Sequence, residues 1–107
     1  MTVNILGADY TIIIGHNDLP DDMDGLCDET IHTIRAYDYA ENRDAPDSKK
    51  NLDVQAKKVL RHEIVHAFLF ESGLAENSDW AQNEELVDWI AIQGPKLIKA
   101  WKEAGAL

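Results

Sequence analysis

From Ile64 to Phe70 six of seven residues are apolar (Ile64, Val65, Ala67, Phe68, Leu69 and Phe70), and the seventh is a histidine. The run sits inside a longer helical pattern that starts near Ser48–Asn51 and reaches about Ser72. In its first half Leu52, Ala56, Val59 and Leu60 share one side, with Lys57, Lys58 and Arg61 opposite. Gly73 followed by Leu74 is a helix stop, because glycine accepts the positive φ of the terminating residue. A helix that turns apolar all round belongs in the middle of a core. The rest of a 107-residue chain must therefore wrap around it.

The flanking segments suggest how. Val3 to Leu6 and Tyr10 to Ile14 are β-rich runs around Gly7-Ala8-Asp9, which predicts a hairpin. His16 to Asp28, rich in Asp and Gly and holding Pro20, reads as loop. Thr30 to Tyr37 reads as a strand, since β-branched residues fit a pleated surface. Ala40 to Ser48 is a polar connection. After the long helix, a second is expected from about Asp79 to Gln93, ending at Gly94. Pro95 is placed to open a third, running to Ala104. The fold class is α+β: a short N-terminal β-sheet, then the long helix and two further helices, in one domain over 1–107.

Charge narrows the partners. Ten Lys and Arg stand against 20 Asp and Glu, a net of −10, which argues against nucleic acid and anionic membranes. Residues 9–47 carry a net of −9 and residues 48–62 a net of +4, read as solvated loop and helix faces. No apolar run approaches the roughly 18 residues of a membrane span. The N-terminal MTVNILGADYTIII lacks a basic start and is interrupted by Asp9, so it does not read as a secretory signal. One cysteine, Cys27, allows no internal disulfide and fits a reducing, cytoplasmic compartment.

The apolar helix carries His62-Glu63-Ile64-Val65-His66, an HExxH pattern. Four residues of helix rise about 6 Å and turn about 400°, so both imidazoles project from one face. They can reach one Zn2+ at about 2.0–2.1 Å. Glu63 lies on the flank of that face, where a general base would stand. Random order of this composition would give about 0.01 such matches. Two histidines and a glutamate in the most apolar segment would be costly without partners, and a metal supplies one.

A third ligand must lie elsewhere. The candidates after His66 are Glu71, Glu76, Asp79, Glu84, Glu85 and Asp88, and no further histidine follows. Glu71 falls on the wrong side of the same helix. On the next helix Leu86, Ile90, Val87, Trp80 and Ala91 form the apolar stripe. Glu84 borders it, while Glu85 lies about 100° further round, nearer Trp89 and Ile92. The wheel favours Glu84 without removing Glu85. Asp88, one turn after Glu84, can accept a proton from a ligand histidine and fix its tautomer.

HEIVH followed by NEELVD resembles the gluzincin pattern, in which HExxH is followed by Asn-Glu-x-x-x-Asp on the next helix. The resemblance implies Glu84 as third zinc ligand, Glu63 as catalytic base and Asp88 as partner of a ligand histidine. EELVDWIA is also similar to a helix of ImmA/IrrE-type metallopeptidases. The whole layout, including VLRHEIVHAFLFESGL, resembles short metallopeptidases of phages and Gram-positive bacteria. The motif-bearing part spans residues 59–91. Gluzincins usually supply a downstream His or Tyr to the oxyanion, and nothing after His66 is an obvious equivalent.

Other residues suit blander roles. Cys27 reads as an inert thiol rather than a ligand, His16 as a loop histidine and His32 as a strand histidine. Tyr37 and Tyr39 are expected to pack, with a carbonyl-polarising role only if the strand end reaches the metal. Trp80, Trp89 and Trp101 recur at helical spacings, which predicts core or helix-interface positions. Leu97, Ile98, Trp101 and Ala104 form one apolar face of the last helix, expected to pack.

Together these readings describe a zinc-dependent peptidase with one Zn2+ per chain held by His62, His66 and Glu84. A fourth position is left for water, Glu63 is the base, and a peptide or protein is the substrate. In related folds an edge strand aligns the substrate, and by that resemblance residues 30–37 are the candidate. The alternative is a zinc-stabilised binding or regulatory module with the same site and no turnover.

Overall fold

A computed structural model of the chain describes residues 1–16, 19–20, 22–40 and 51–107. Four strands form one mixed sheet: β1 (Thr2–Ile5), β2 (Ala8–Gly15), β3 (Gly25–Asp28) and β4 (Thr33–Tyr37), in the order β1-β2-β4-β3. β1 and β2 make the expected hairpin, antiparallel with Val3 opposite Tyr10 and Ile5 opposite Ala8. Its turn is Leu6-Gly7, both at positive φ (50° and 95°), as a two-residue hairpin loop of the favoured hand requires. The Asn4 side chain secures it, accepting from the Gly7 N–H and donating to Asp9. β2 runs parallel to β4, with Thr11 opposite Thr33 and Gly15 opposite Tyr37. β3 is antiparallel to β4.

Two strand expectations need correction. His16 to Asp28 is not all loop, because Gly25–Asp28 forms β3. The four residues are all half-buried and show no alternation, so period-two patterning could not reveal them. The strand expected from Thr30 begins at Thr33. Thr30 lies in a turn, its N–H donating to the Asp28 carboxylate, and His32 takes a positive φ of 49°. The polar connection expected at residues 40–48 lies, beyond Ala40, outside the described residues.

Helix α1 (Leu52–Glu71) lies across one face of the sheet. The Asn51 side chain caps its start by accepting from the Val54 N–H, and Gly73 at φ 83° follows its end. Its sheet-facing stripe is Leu52, Val59, Glu63 and Ala67. Ile5, Tyr10, Ile12 and Ile34 pack against Ala67, while Ala36 and Tyr39 pack with Leu52 and Val59. Complete burial of residues 64–70 is not reached. The sheet covers one side of α1 and the following helices another, leaving Phe68 43% exposed.

The C-terminal half differs most from expectation. A short α2 (Leu74–Asn77) and a 3-10 turn (Asp79–Gln82) precede α3 (Glu84–Glu103), a single helix that runs through Gly94 and Pro95. Pro95 therefore opens no third helix. Its missing N–H frees the Ala91 carbonyl inside α3, and Arg61 Nε donates to that carbonyl at 2.6 Å. α3 packs on α1 through Val87 and Ala91, both buried. The tryptophans are not core residues: Trp80, Trp89 and Trp101 are about half exposed, as is Ile98. α3 turns only its Val87–Ala91 side toward α1, so the apolar face around Trp101 lies outside that packing. No helix among the described residues is long and apolar enough to cross a membrane.

Candidate metal centre

His62 and His66 are one turn apart on α1, their rings 4.9 Å apart and edge-on. They reach the start of α3, where Asn83 caps the helix by accepting from the Leu86 N–H. The residue after that cap is Glu84. One Glu84 oxygen lies 2.8 Å from His62 Nε2 and the other 3.1 Å from His66 Nε2. The ligand atoms of His62, His66 and Glu84 all fall within 4.8 Å of one another, so the three could hold a metal ion. Ligands about 2.0–2.1 Å from a tetrahedral zinc stand some 3.3 Å apart, near the 2.8 and 3.1 Å between Glu84 and the two rings. Glu85, the neighbour weighed against Glu84, is exposed and outside the group.

Both nitrogens of the His62 ring face carboxylates. His62 Nδ1 lies 3.2 Å from an Asp88 oxygen, while Nε2 faces Glu84. A neutral imidazole carries one N–H and cannot donate to both carboxylates. With Nδ1–H given to Asp88, Nε2 meets Glu84 either through a second ring proton or through a cation held between them. Asp88 thus occupies the position from which a ligand histidine is oriented. Both imidazoles are largely buried, at 17% and 12% exposed, whereas Glu84 is 70% exposed. The centre is reached from solvent on the Glu84 side.

Glu63 lies on the flank of the His62–His66 face, in the same cleft but turned toward the sheet. It shares the sheet-facing stripe with Val59 and Ala67 and is 8% exposed. Burial pushes its carboxyl up to about 7, the His62 charge opposing and the Glu84 charge adding to the rise. Space for it comes from Gly25 on β3. A Cβ there would sit 2.8 Å from a Glu63 carboxylate oxygen and 2.9 Å from Val59 Cγ1. The sequence does not single out Gly25, which falls in the stretch His16 to Asp28 that reads as loop.

A cleft of about 520 Å³ runs past these groups. One wall is α1, with Gln55, Lys58, Val59, His62, Glu63, His66 and Phe70; another is Met23 to Cys27, mostly β3; Gln82, Glu84 and Asp88 close it. β3 is the edge strand beside the cleft. The strand expected at residues 30–37 to be that edge is β4 (Thr33–Tyr37), which lies inside the sheet. It is hydrogen-bonded on both sides and has no free backbone to offer.

The remaining candidates lie apart from the metal-facing groups or are chemically inert. Cys27 lines the cleft, but burial and the Glu63 charge push its thiol up to about 12, so it stays protonated. Glu71 is on the far side, accepting from the Tyr10 hydroxyl at 2.7 Å and lying 3.4 Å from His32 Nε2. His16 lies against Asp38. The Tyr39 hydroxyl donates to Asp24 at 2.9 Å, and its ring lies against Tyr37. Neither tyrosine lines the cleft among the described residues. No family model, curated protein or solved structure gives a significant match to this chain.

Proposed function

We propose that the protein is a zinc-dependent peptidase of gluzincin type, with one Zn2+ per chain held by His62, His66 and Glu84. The observation that carries this reading is the convergence of two helical imidazoles and one carboxylate beside a buried glutamate that is not part of the group. Zinc, when bound, supplies a Lewis acid that polarises a carbonyl and lowers the pKa of water toward 7. Glu63, with its carboxyl raised to about 7, takes a proton from the attacking water near neutral pH and returns it to the leaving amine. Asp88 holds the His62 ring and its tautomer. The β3 edge offers unpaired backbone along which an extended peptide can align. Peptide or protein is therefore the substrate class, and the free Cys27 fits a reducing cytoplasmic setting.

A second reading, a zinc-stabilised binding module without turnover, is favoured by one feature. No tyrosine or third histidine lines the cleft among the described residues to steady an oxyanion. Incubation of the zinc-loaded protein with a peptide library, read by mass spectrometry, separates the two. Cleavage abolished by chelator supports the peptidase. Tight zinc binding with no cleavage supports the module.

A further inference from the structure

Proline inside a helix normally costs a hydrogen bond, because position i has no N–H for the carbonyl at i−4. In α3 that carbonyl belongs to Ala91, and it is not left idle: Arg61 Nε reaches it from α1 at 2.6 Å. Arg61 immediately precedes His62. Ala91 lies less than one turn beyond Asp88, which contacts the His62 ring. Besides the His62 and His66 contacts with Glu84 and Asp88, this seam holds the Val87 and Ala91 side chains, both buried. Apolar contact is non-directional and fixes the separation of two helices better than their axial register. A hydrogen bond to one carbonyl is directional. Register matters here, because sliding or rotating α3 by one residue moves Glu84 by about 1.5 Å and 100°.

We infer that Pro95 and Arg61 form a register lock: the proline creates the acceptor, and the arginine uses it to hold Glu84 and Asp88 opposite His62 and His66. Arg61 is thus a positioning residue. The inference rests on the reading of these side chains as a metal centre.

The test uses the full chain as wild type, Arg61→Met, Pro95→Ala and the double variant. Zinc affinity is measured by chelator competition, the visible absorption of the Co2+-loaded protein reports ligand geometry, and metal-free thermal unfolding reports stability. Arg61→Met should lower metal-free stability, weaken zinc binding about 10–100-fold and alter the Co2+ spectrum. In the double variant the Pro95→Ala change restores an N–H for the Ala91 carbonyl, so stability should recover while affinity and spectrum do not. Affinity that recovers together with stability would reduce Arg61 to a filler of an orphan carbonyl and overturn the lock, as would an unchanged affinity in folded Arg61→Met. Should Arg61→Met not fold alone, the double variant is compared with Pro95→Ala: weaker zinc binding in the double supports the lock, and equal binding overturns it. Absence of zinc uptake by the wild type would instead overturn the metal centre itself, without reference to Arg61.

Discussion

Glu63 and Glu84 are both glutamates beside the same two histidines, and their surroundings differ sharply. Glu84 is exposed and touches both rings; Glu63 is buried under β3 with a raised carboxyl. Glu84→Gln should weaken zinc binding strongly, since a neutral amide replaces a ligand charge, while Glu85→Gln should change it little. Asp88→Asn should fall between, at about 10–100-fold. Competition with a chromophoric chelator gives the order directly. The raised Glu63 carboxyl also has a stability consequence in the metal-free protein. Its folded pKa, about 7, lies above the ordinary value of 4.5, so the folded state holds the proton more tightly. The Glu63 contribution is present in full below about pH 4.5 and is lost as pH rises through 7. The loss is on the order of 3 kcal/mol. Metal-free Glu63→Gln should therefore be more stable than wild type at pH 8, with no such gain at pH 4. A gain independent of pH would place its cause in packing rather than in the buried charge.

At the scale of elements, the metal-facing groups depend on β3 as much as on the helices. Gly25→Ala would drive a Cβ into Glu63 and Val59, so the Glu63 carboxylate, the proposed base, must move while the histidines need not. The expected outcome is zinc binding near wild type with turnover lowered about 100-fold, the effect of misplacing a reacting group by an ångström. Equal loss of both would mean that β3 supports the whole centre. The difference between what was legible and what was not follows from range. His62, His66, Glu84 and Asp88 are each related by helical period to a few neighbours, and the wheel that set Glu84 at the border of the apolar stripe favoured it while leaving Glu85 open. Gly25, by contrast, matters only through α1, some 38 positions away, and β3 shows no periodicity. The break expected at Gly94-Pro95 was a sound local inference, overridden when Arg61, 30 residues upstream, took the freed carbonyl. The tryptophans had the spacing of a core stripe but not the neighbours.

Across the whole molecule, a metal at this centre would tie α1 to the start of α3. Binding free energy then adds to folding free energy, by about 4 kcal/mol at free zinc a thousandfold above Kd. Chelation should lower the melting temperature by about 10 °C or more for a chain this small. An unchanged melting curve, with zinc shown to be gone, would mean that the core stands without it. Elemental analysis should find about one zinc per chain, as one three-ligand site requires. The most direct measurement compares peptide cleavage by the zinc-loaded wild type and by Glu63→Gln at matched zinc content. Glu63 is not a ligand, so both should hold one zinc, and only the wild type should cleave, with a loss of about 100-fold or more in the variant. Equal cleavage by the two, or none by either with zinc in place, would contradict the account.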